Sequence, residues 1–249
     1  MFGTNVVASR DSEDGRVLFL KLDRPDKRNA MSCELVADLL EQLEAAETAN
    51  CGAVVLAGAG SGFCAGSDLA MLAAMSEDQR MRFEADCGLL ARRIVAHPLP
   101  ILAAVHGFAM GGGLTLAAAC DIVVTEGDCR WSLPEVPVGL FPAWGLEGVV
   151  ARTGKPTAQR LAWGLDVIDG QGAHDWGLAD LVVVDALERA VTIARELATL
   201  PRAQVRAVKS YFSLDYDVRR RDDHANRLFA SAAVSEEAKL TFARFRSRD

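Results

Sequence analysis

The chain has 249 residues, of which 50% are hydrophobic and 24% charged, and its formal net charge is −7. This length and apolar content favour one large folded domain, or a domain with a small appendage, over a disordered chain. The acidic balance argues against non-specific binding to nucleic acid or to anionic membranes. Because no apolar run approaches the roughly 20 residues that cross a bilayer and the N-terminal stretch lacks an apolar signal core, we expect a cytoplasmic protein.

The cysteines and histidines do not form a recognisable ligand set. None of the six cysteines stands in a Cys-x-x-Cys pair, and the four histidines are scattered along the chain. Zinc sites and disulfide frameworks need such residues at closer or more regular spacing. We therefore expect neither a bound metal nor a disulfide framework.

The first two thirds of the chain alternate strand and helix patterns. Residues 17–22 and 53–58 are short apolar runs typical of strands. Between them, residues 32–49 carry an amphipathic helix with Ser32 as its N-cap, and a second helix is predicted over about 76–96. Further apolar runs predict strands at 101–105, 121–125 and 180–184.

This alternation indicates an α/β layered domain, which we place at residues 1–195. Strand signals stop after about residue 186, and residues 196–249 are assigned to a helical region. A helical tail with apolar faces packs either on its own domain or on a neighbouring subunit. The predicted helices lie near 186–199, 202–213 and 217–246.

Two predicted strand-to-helix junctions are built from small residues. Gly111, Gly112 and Gly113 stand directly before the helical run LTLAAA, and the loop GFCAGSDL (62–69) follows a predicted strand. Glycine lets a ligand approach the backbone closely, and a helix N-terminus offers free N–H groups. Two such junctions could each aim one N–H group at the same developing oxyanion. Alone, the glycine cluster is equally consistent with a tight turn, and the loop at 62–69 is more often just a connection.

Two charged features accompany the glycine junctions. Glu135 follows Pro134 among apolar residues, whose packing would raise its pKa towards that of a useful general base; a surface-loop glutamate is the alternative. The segment RPDKRNAM (24–31) holds three cations that could contact phosphates, or it is a solvated turn.

Together these motifs resemble the crotonase superfamily, also called the enoyl-CoA hydratase/isomerase family. The resemblance extends from about residue 6 to residue 248. The segments that carry it, in register, are RPDKRNAM (24–31), FCAGSDL (63–69), PILAAVHGFAMGGGLTLAAACDIVV (100–124), WSLPEVPVGLFP (131–142), GLADLVV (177–183) and SEEAKLTFARF (235–245).

The resemblance implies a spiral of ββα units followed by a helical trimerisation region, and hence a homotrimer or a hexamer made of two trimers. It implies an acyl-CoA thioester as substrate, with no further cofactor. The peptide N–H groups of Ala65 and Gly112 would form the oxyanion hole. Positions expected to contact the thioester or its CoA moiety are Lys27, Arg28, Gly66, Asp68, Leu69, Gly111, Phe245 and Arg248, although capping or turn hydrogen bonds are the favoured role of Asp68.

The catalytic positions depart from the pattern of the family's hydratases. Those enzymes use two glutamates to hold and activate a water, and the matching positions here are Thr115 and Glu135. Members with a single glutamate resemble Δ3,Δ2-enoyl-CoA isomerases, in which one base moves a proton from C2 to C4. We therefore predict an isomerase with Glu135 as its base. The alternatives are a hydratase in which Thr115 and Glu135 share one water, and a non-catalytic acyl-CoA-binding protein.

Other departures affect the acyl pocket and the C-terminus. Trp144 either fills part of the acyl pocket or is a packed core indole. Ala143 occupies the position of an aspartate in dehalogenating relatives, which argues against dehalogenation. Leu240 and Thr241 replace the usual Glu-Gly of the last motif.

Overall fold

A computed structural model describes residues 5–13, 15–213, 226–227, 229–230 and 232–246. Its strands are β1 (Val6–Arg10), β2 (Val17–Leu22), β3 (Ala53–Gly58), β4 (Ile101–Val105), β5 (Phe108–Met110), β6 (Ile122–Glu126), β7 (Arg130–Ser132), β8 (Val167–Ile168) and β9 (Leu181–Val183). Its helices are α1 (Cys33–Thr48), α2 (Leu69–Ala74), α3 (Glu77–Ala96), α4 (Gly112–Ala118), α5 (Leu146–Thr153), α6 (Lys155–Ala162), α7 (Gly170–Asp175), α8 (Ala186–Thr199), α9 (Arg202–Ser213) and α10 (Glu236–Arg246).

The larger sheet has the spatial order β1-β2-β3-β4-β6-β9. β1 is antiparallel to β2, and the remaining neighbours are parallel. The two central strands, β3 and β4, are buried on both faces, as their nearly continuous apolar sequences predicted. The strands predicted at 17–22, 53–58 and 101–105 are confirmed with unchanged bounds, while β6 begins one residue later than predicted and β9 is shorter.

A smaller sheet, β5-β7-β8, lies beside the first and was not predicted. Its strands have two or three residues each, which is too short for a period-two pattern to be read. β4 and β5 are consecutive strands in different sheets followed by α4, and β6 and β7 repeat the arrangement before α5. This repetition is the ββα spiral that the sequence resemblance implied.

The helices cover both faces of the larger sheet. Ser32 caps α1 by accepting a hydrogen bond from the N–H of Leu35 at 3.3 Å, as predicted. On the other face, α8 presents a stripe of buried alanines at a spacing of four residues, which lets the helix lie close to the strands. The boundary predicted between residues 195 and 196 falls inside α8, so the last turn of this helix belongs to the sheet domain.

The C-terminal helices differ in how they pack. α9 leaves large apolar side chains exposed, including Tyr211 and Phe212, whose exposed fractions are 72% and 74%. α10 packs on α2 and on the turn Val136–Val138, where the Thr241 hydroxyl donates a hydrogen bond to the carbonyl of Val138 at 3.0 Å. The helix predicted near 217–246 is confirmed in its last part, and residues 214–225 lie outside the described residues.

Some classes of site have no candidate in the part of the chain that the structure describes. None of the helices there combines the length and the apolar character needed to cross a membrane. No group of three or more His, Cys, Asp or Glu residues in those ranges is arranged to hold a metal ion. The six cysteines are free thiols.

Arg152 on α5 ties together the elements at the C-terminal end of α4. Its guanidinium donates to the carbonyl of Ala118, the last residue of α4, at 3.1 Å and to that of Cys120, two residues later, at 2.7 Å. It also pairs with the Asp180 carboxylate at 3.1 Å, and that carboxylate accepts the N–H of Val123 on β6. Because α4 carries the glycine cluster at its other end, this network fixes the helix that positions those glycines.

We expect Arg152→Met to lower the free energy of unfolding by roughly 1–3 kcal/mol, because it removes a charged donor and leaves buried carbonyls unpaired. Denaturant unfolding followed by circular dichroism measures this change. Arg160→Met is the matched control, since Arg160 is 57% exposed where it pairs with Asp166, and it should cost less than about 1 kcal/mol. Equal stability losses in the two variants would contradict the stabilising role of Arg152.

Candidate active site

The two glycine junctions meet in the structure. A Cβ atom placed on Gly66 would lie 3.2 Å from the backbone nitrogen of Gly112, and one placed on Gly113 would lie 2.2 Å from the carbonyl oxygen of Cys64. Gly66 and Gly111 also have positive φ angles of 91° and 53°, which favour glycine. Larger residues would therefore separate the loop at 62–69 from the start of α4.

The N–H groups at these junctions differ in availability. The N–H of Ala65 donates to the carbonyl of Arg28 at 3.1 Å, so it is already engaged. Met31 and Ser67 form a parallel bridge, in which the hydrogen bonds are made by the residues on either side of Ser67. The N–H of Ser67 therefore points away from that bridge, towards the cavity that Ser67 lines, and has no acceptor among the described residues.

The N–H of Gly112, at the first position of α4, also has no acceptor among the described residues. Ser67 and Gly112 thus supply one free backbone donor from each junction, and the prediction of Ala65 as a donor disagrees with this geometry. The sequence does not distinguish Ala65 from Ser67 as the donor, because the bridge between Met31 and Ser67 decides which N–H group of the loop is free.

A cavity of about 110 Å³ opens beside these donors. Gly66, Leu69 and Gly111 line it, as expected for residues that contact a substrate. The remainder of its wall is largely apolar. The side chains that form this apolar wall include Leu72, Val138, Leu140, Trp144 and Phe229.

Glu135 reaches this cavity from the turn that follows β7. Its carbonyl accepts hydrogen bonds from the N–H groups of Val138 at 3.1 Å and Leu140 at 2.9 Å, which fixes its backbone. Its Oε2 atom is buried without a hydrogen-bond partner in the described structure, and a Cβ on Gly111 would lie 2.6 Å from its Oε1. Burial raises the pKa of Glu135 to about 7, in the direction that the apolar flanks predicted.

Glu84 also lines the cavity and was not predicted. It projects from α3 and is 3% exposed. Burial, and secondarily repulsion by Glu135, raises the pKa of Glu84 to about 8. Its position between the buried residues Phe83 and Cys87 places a carboxyl on the apolar side of an amphipathic helix, which is the signal that could have identified it.

Thr115 and Trp144 form part of the cavity wall. The Thr115 hydroxyl donates to the carbonyl of Gly112 at 3.2 Å, so its proton is engaged in the first turn of α4. Trp144 is buried, and its Cζ2 would lie 2.7 Å from a Cβ on Gly112. The indole is therefore both a packed side chain and a wall of the cavity.

The basic motif surrounds the loop at 62–69 without entering the cavity. Arg24 pairs with Asp68 at 3.1 Å, and Asp68 also caps α2 by accepting the N–H of Met71 at 3.2 Å, so its role here is structural. Arg28 lies with its guanidinium 5.5 Å from the centre of the Phe108 ring. Lys27 and Arg28 are both exposed to solvent.

The predicted C-terminal contacts are placed in part. Phe245 on α10 is half-buried and packs against the apolar core of its own chain. Arg248 lies outside the described residues.

A second and larger cavity, of about 560 Å³, lies between α8 and α9. Its lining is mainly apolar, and its charged side chains, Asp121 and Lys209, form an ion pair with each other. Asp121 also accepts the N–H of Ile101 at 2.7 Å, a structural hydrogen bond at the start of β4. Because neither charge is available for proton transfer, we assign the chemistry to the smaller cavity.

Comparisons with known proteins bear on the family to which the chain belongs. The family model described as enoyl-CoA hydratase/isomerase matches residues 12–246. The 2,3-dehydroadipyl-CoA hydratase of Escherichia coli is 34% identical over 206 residues, or 80% of each chain. The 1,2-epoxyphenylacetyl-CoA isomerase of the same organism is 34% identical over 195 residues, or 74% of each chain.

Solved structures give the same result for the fold. An enoyl-CoA hydratase/isomerase from Mycobacterium paratuberculosis superposes with a TM-score of 0.88 at 26% identity, covering 97% of this chain and 98% of that one. An enoyl-CoA hydratase from Mycobacterium avium gives a TM-score of 0.85 at 28% identity, covering 99% and 98%. The chain therefore belongs to the enoyl-CoA hydratase/isomerase family and has the crotonase fold.

Proposed function

We propose that the smaller cavity is the active site of an acyl-CoA isomerase, in which Glu135 moves a proton from C2 to C4 of a 3-enoyl-CoA thioester. The observation that carries the proposal is the buried Glu135 carboxyl, whose Oε2 atom has no hydrogen-bond partner in the described structure and which lines the same cavity as Ser67 and Gly112, whose backbone N–H groups are free. A carboxylate in such a site is a stronger base than one in water. An acyl-CoA substrate fits the family to which the chain belongs.

The two donors supply the stabilisation that this reaction needs. Removing a proton from C2 places negative charge on the thioester oxygen. The N–H groups of Ser67 and Gly112 would bind this oxygen, and the dipole of α4 would favour the charge at its N-terminal end. Because both donors are held by backbone geometry, they need not reorganise as the charge develops.

Hydration is the second candidate. It needs a water that is both oriented and deprotonated, and Thr115 occupies the position where the family's hydratases carry a glutamate. The Thr115 hydroxyl already donates to the carbonyl of Gly112, which leaves it able only to accept from a water. Relatives named as a hydratase and as an isomerase are equally identical to this chain, so identity does not favour either reaction.

A non-catalytic acyl-CoA binder is the third candidate. Such a protein would not need a buried carboxyl in the smaller cavity, because leaving such a group unpaired costs free energy. The presence of Glu135 at that position supports an enzyme over a binder.

The exposed cations and the C-terminal helices support two further parts of the proposal. Lys27 and Arg28 stand beside the loop at 62–69, where they could contact the phosphates of CoA. The apolar side chains that α9 exposes are consistent with burial against a second copy. We therefore expect a homotrimer or a hexamer.

The oxyanion hole is tested by Ser67→Pro, which deletes one donor and changes no cavity side chain other than that of Ser67 itself. We expect turnover to fall by about 10²–10³-fold. Ser67→Ala is the matched control, because it removes the hydroxyl and keeps the N–H, and its turnover should stay close to that of the wild type. Steady-state kinetics measures both, and circular dichroism checks that the variants fold. Full activity in folded Ser67→Pro would place the oxyanion elsewhere.

The reaction type is tested with Glu135→Gln and with matched substrates. The amide keeps the shape but cannot accept a proton, so isomerisation of a 3-enoyl-CoA should fall by about 10²–10⁴-fold while thioester binding is nearly unchanged. Absorbance and mass distinguish the reactions, since hydration of a 2-enoyl-CoA adds a water. Glu147→Gln is the control, because Glu147 begins α5 and does not line the cavity. Faster hydration than isomerisation in the wild type would contradict the proposal that the protein is an isomerase.

A further inference from the structure

The cavity holds a second carboxyl that a single-base isomerisation does not use. Glu84 enters it from α3, on a different element from Glu135 and from the glycine junctions. The Glu84 side chain is 3% exposed, and burial is the main cause that raises its pKa. Burying a carboxyl in a largely apolar wall costs free energy, so folding alone gives no reason for its position.

The charged groups around Glu84 leave Glu135 as its main electrostatic partner. Among the described residues that line the cavity, Glu84 and Glu135 are the ones with titratable side chains. Arg80, one turn earlier on α3, donates to the carbonyl of Met75 and lies 4.9 Å from the centre of the Phe242 ring on α10. Lys209 on α9 is bound to the far end of α3, at the carbonyl of Ile94.

Thiols and an exposed carboxylate complete the charged surroundings of this part of α3. Cys87 lies one turn after Glu84 and is itself buried. Cys33, at the start of α1, and Asp86 act electrostatically on Cys87, and Asp86 faces solvent. None of these groups brings a positive charge to Glu84.

The two carboxyls of the cavity therefore titrate in sequence. Glu135, with a pKa of about 7, ionises first, and its negative charge then helps to hold the proton on Glu84, whose pKa is about 8. Repulsion between the two carboxylates is mutual, so the carboxyl that ionises first helps to hold the proton on the other. Near neutral pH the pair consists of one carboxylate and one carboxylic acid, which are the forms that a base and an acid need.

We propose that Glu84, supplied from α3, is the second proton-transfer residue of this site and the acid that complements Glu135. The inference rests on the proposed isomerisation and deepens it. It also replaces the idea that Thr115 is the partner of Glu135, since the Thr115 hydroxyl proton is engaged with Gly112.

The proposed steps balance. The Glu135 carboxylate takes a proton from C2, and the electrons of that C–H bond form a dienolate whose oxygen is held by Ser67 and Gly112. The carbonyl then reforms, the C2–C3 double bond is made, and C4 takes the proton of the Glu84 acid. Glu84 recovers a proton from Glu135, directly or through one water. The net change is the transfer of one hydrogen from C2 to C4.

The test is a single turnover with enzyme in excess, in ordinary water, on a 3-enoyl-CoA that carries deuterium at C2. If Glu135 removes the deuteron from C2 and Glu84 supplies the proton at C4, the first product should carry ordinary hydrogen at C4. In Glu84→Gln, Glu135 must return the atom that it removed, so C4 should carry deuterium and the rate should fall by about 10²-fold. Mass spectrometry with fragmentation locates the label.

The pH profile gives a second readout. Wild-type turnover should rise through about pH 7 as Glu135 ionises and fall above about pH 8 as Glu84 ionises. Glu84→Gln should lose the fall at high pH and keep the rise. A merely structural role for Glu84 would change neither the shape of the profile nor the origin of the hydrogen at C4.

The variant should fold. The pKa of Glu84 is raised from 4.5 in the unfolded chain to about 8, so its ionisation lowers the stability of the folded protein as pH rises through that window. Glu84→Gln removes this loss of stability, so its melting temperature at pH 8 should equal or exceed that of the wild type. Glu84→Asp, which retains an acid, is a second variant and should keep ordinary hydrogen at C4.

Controls separate this inference from the proposed function. Asp86→Asn makes the same charge change on the exposed side of α3 and should behave as the wild type. Identical label transfer in wild type and Glu84→Gln, with Glu135→Gln inactive, would overturn the role of Glu84 and leave the isomerase intact. Failure of the wild type to convert any 3-enoyl-CoA would overturn both.

Discussion

The close approach of two glycine junctions is the constraint on which the site depends. A Cβ on Gly113 would meet the carbonyl oxygen of Cys64 at 2.2 Å, and a Cβ on Gly66 would meet the carbonyl oxygen of Met110 at 2.9 Å. Without side chains at these positions, the loop after β3 and the start of α4 come close together, so that Ser67 and Gly112 line the same cavity. The ββα architecture supports this contact, because β5 pairs with that loop at Cys64 while β4 remains in the larger sheet.

The charges of the cavity follow from its burial. The donors offer partial positive charge, and two buried carboxyls, those of Glu84 and Glu135, also lie in the wall. Burial and mutual repulsion disfavour two full negative charges in the same small volume, so a proton is retained on one of the pair near neutral pH. A carboxylate and a carboxylic acid in one apolar cavity form a proton-transfer pair suited to chemistry next to a thioester carbonyl.

Much of the fold can be predicted from the sequence, and the elements that cannot be predicted are missed for physical reasons. The strands β2, β3 and β4 can be predicted because their apolar runs are long enough to stand out, and α1 because burial of one face imposes a helical period. β5, β7 and β8 cannot, because strands of two or three residues are too short for a pattern. The pairing of β5 with the loop at 62–69, at Cys64, is a contact between distant segments.

The residues of the site also divide into those that the sequence predicts and those that only the structure identifies. Glu135 and Gly112 stand in motifs whose local chemistry is informative. The choice between Ala65 and Ser67 depends on which N–H group a bridge to Met31 leaves free, and Glu84 matters only because α3 turns it towards Glu135. These facts arise from tertiary contacts that no local pattern contains.

A crystal structure with a bound, slowly reacting 3-enoyl-CoA analogue tests the central claim most directly. The account predicts that the thioester oxygen lies about 2.7–3.1 Å from the backbone nitrogens of both Ser67 and Gly112. It also predicts that C2 faces the Glu135 carboxylate. A thioester bound with its oxygen away from these two nitrogens, or with C2 turned from Glu135, would contradict it.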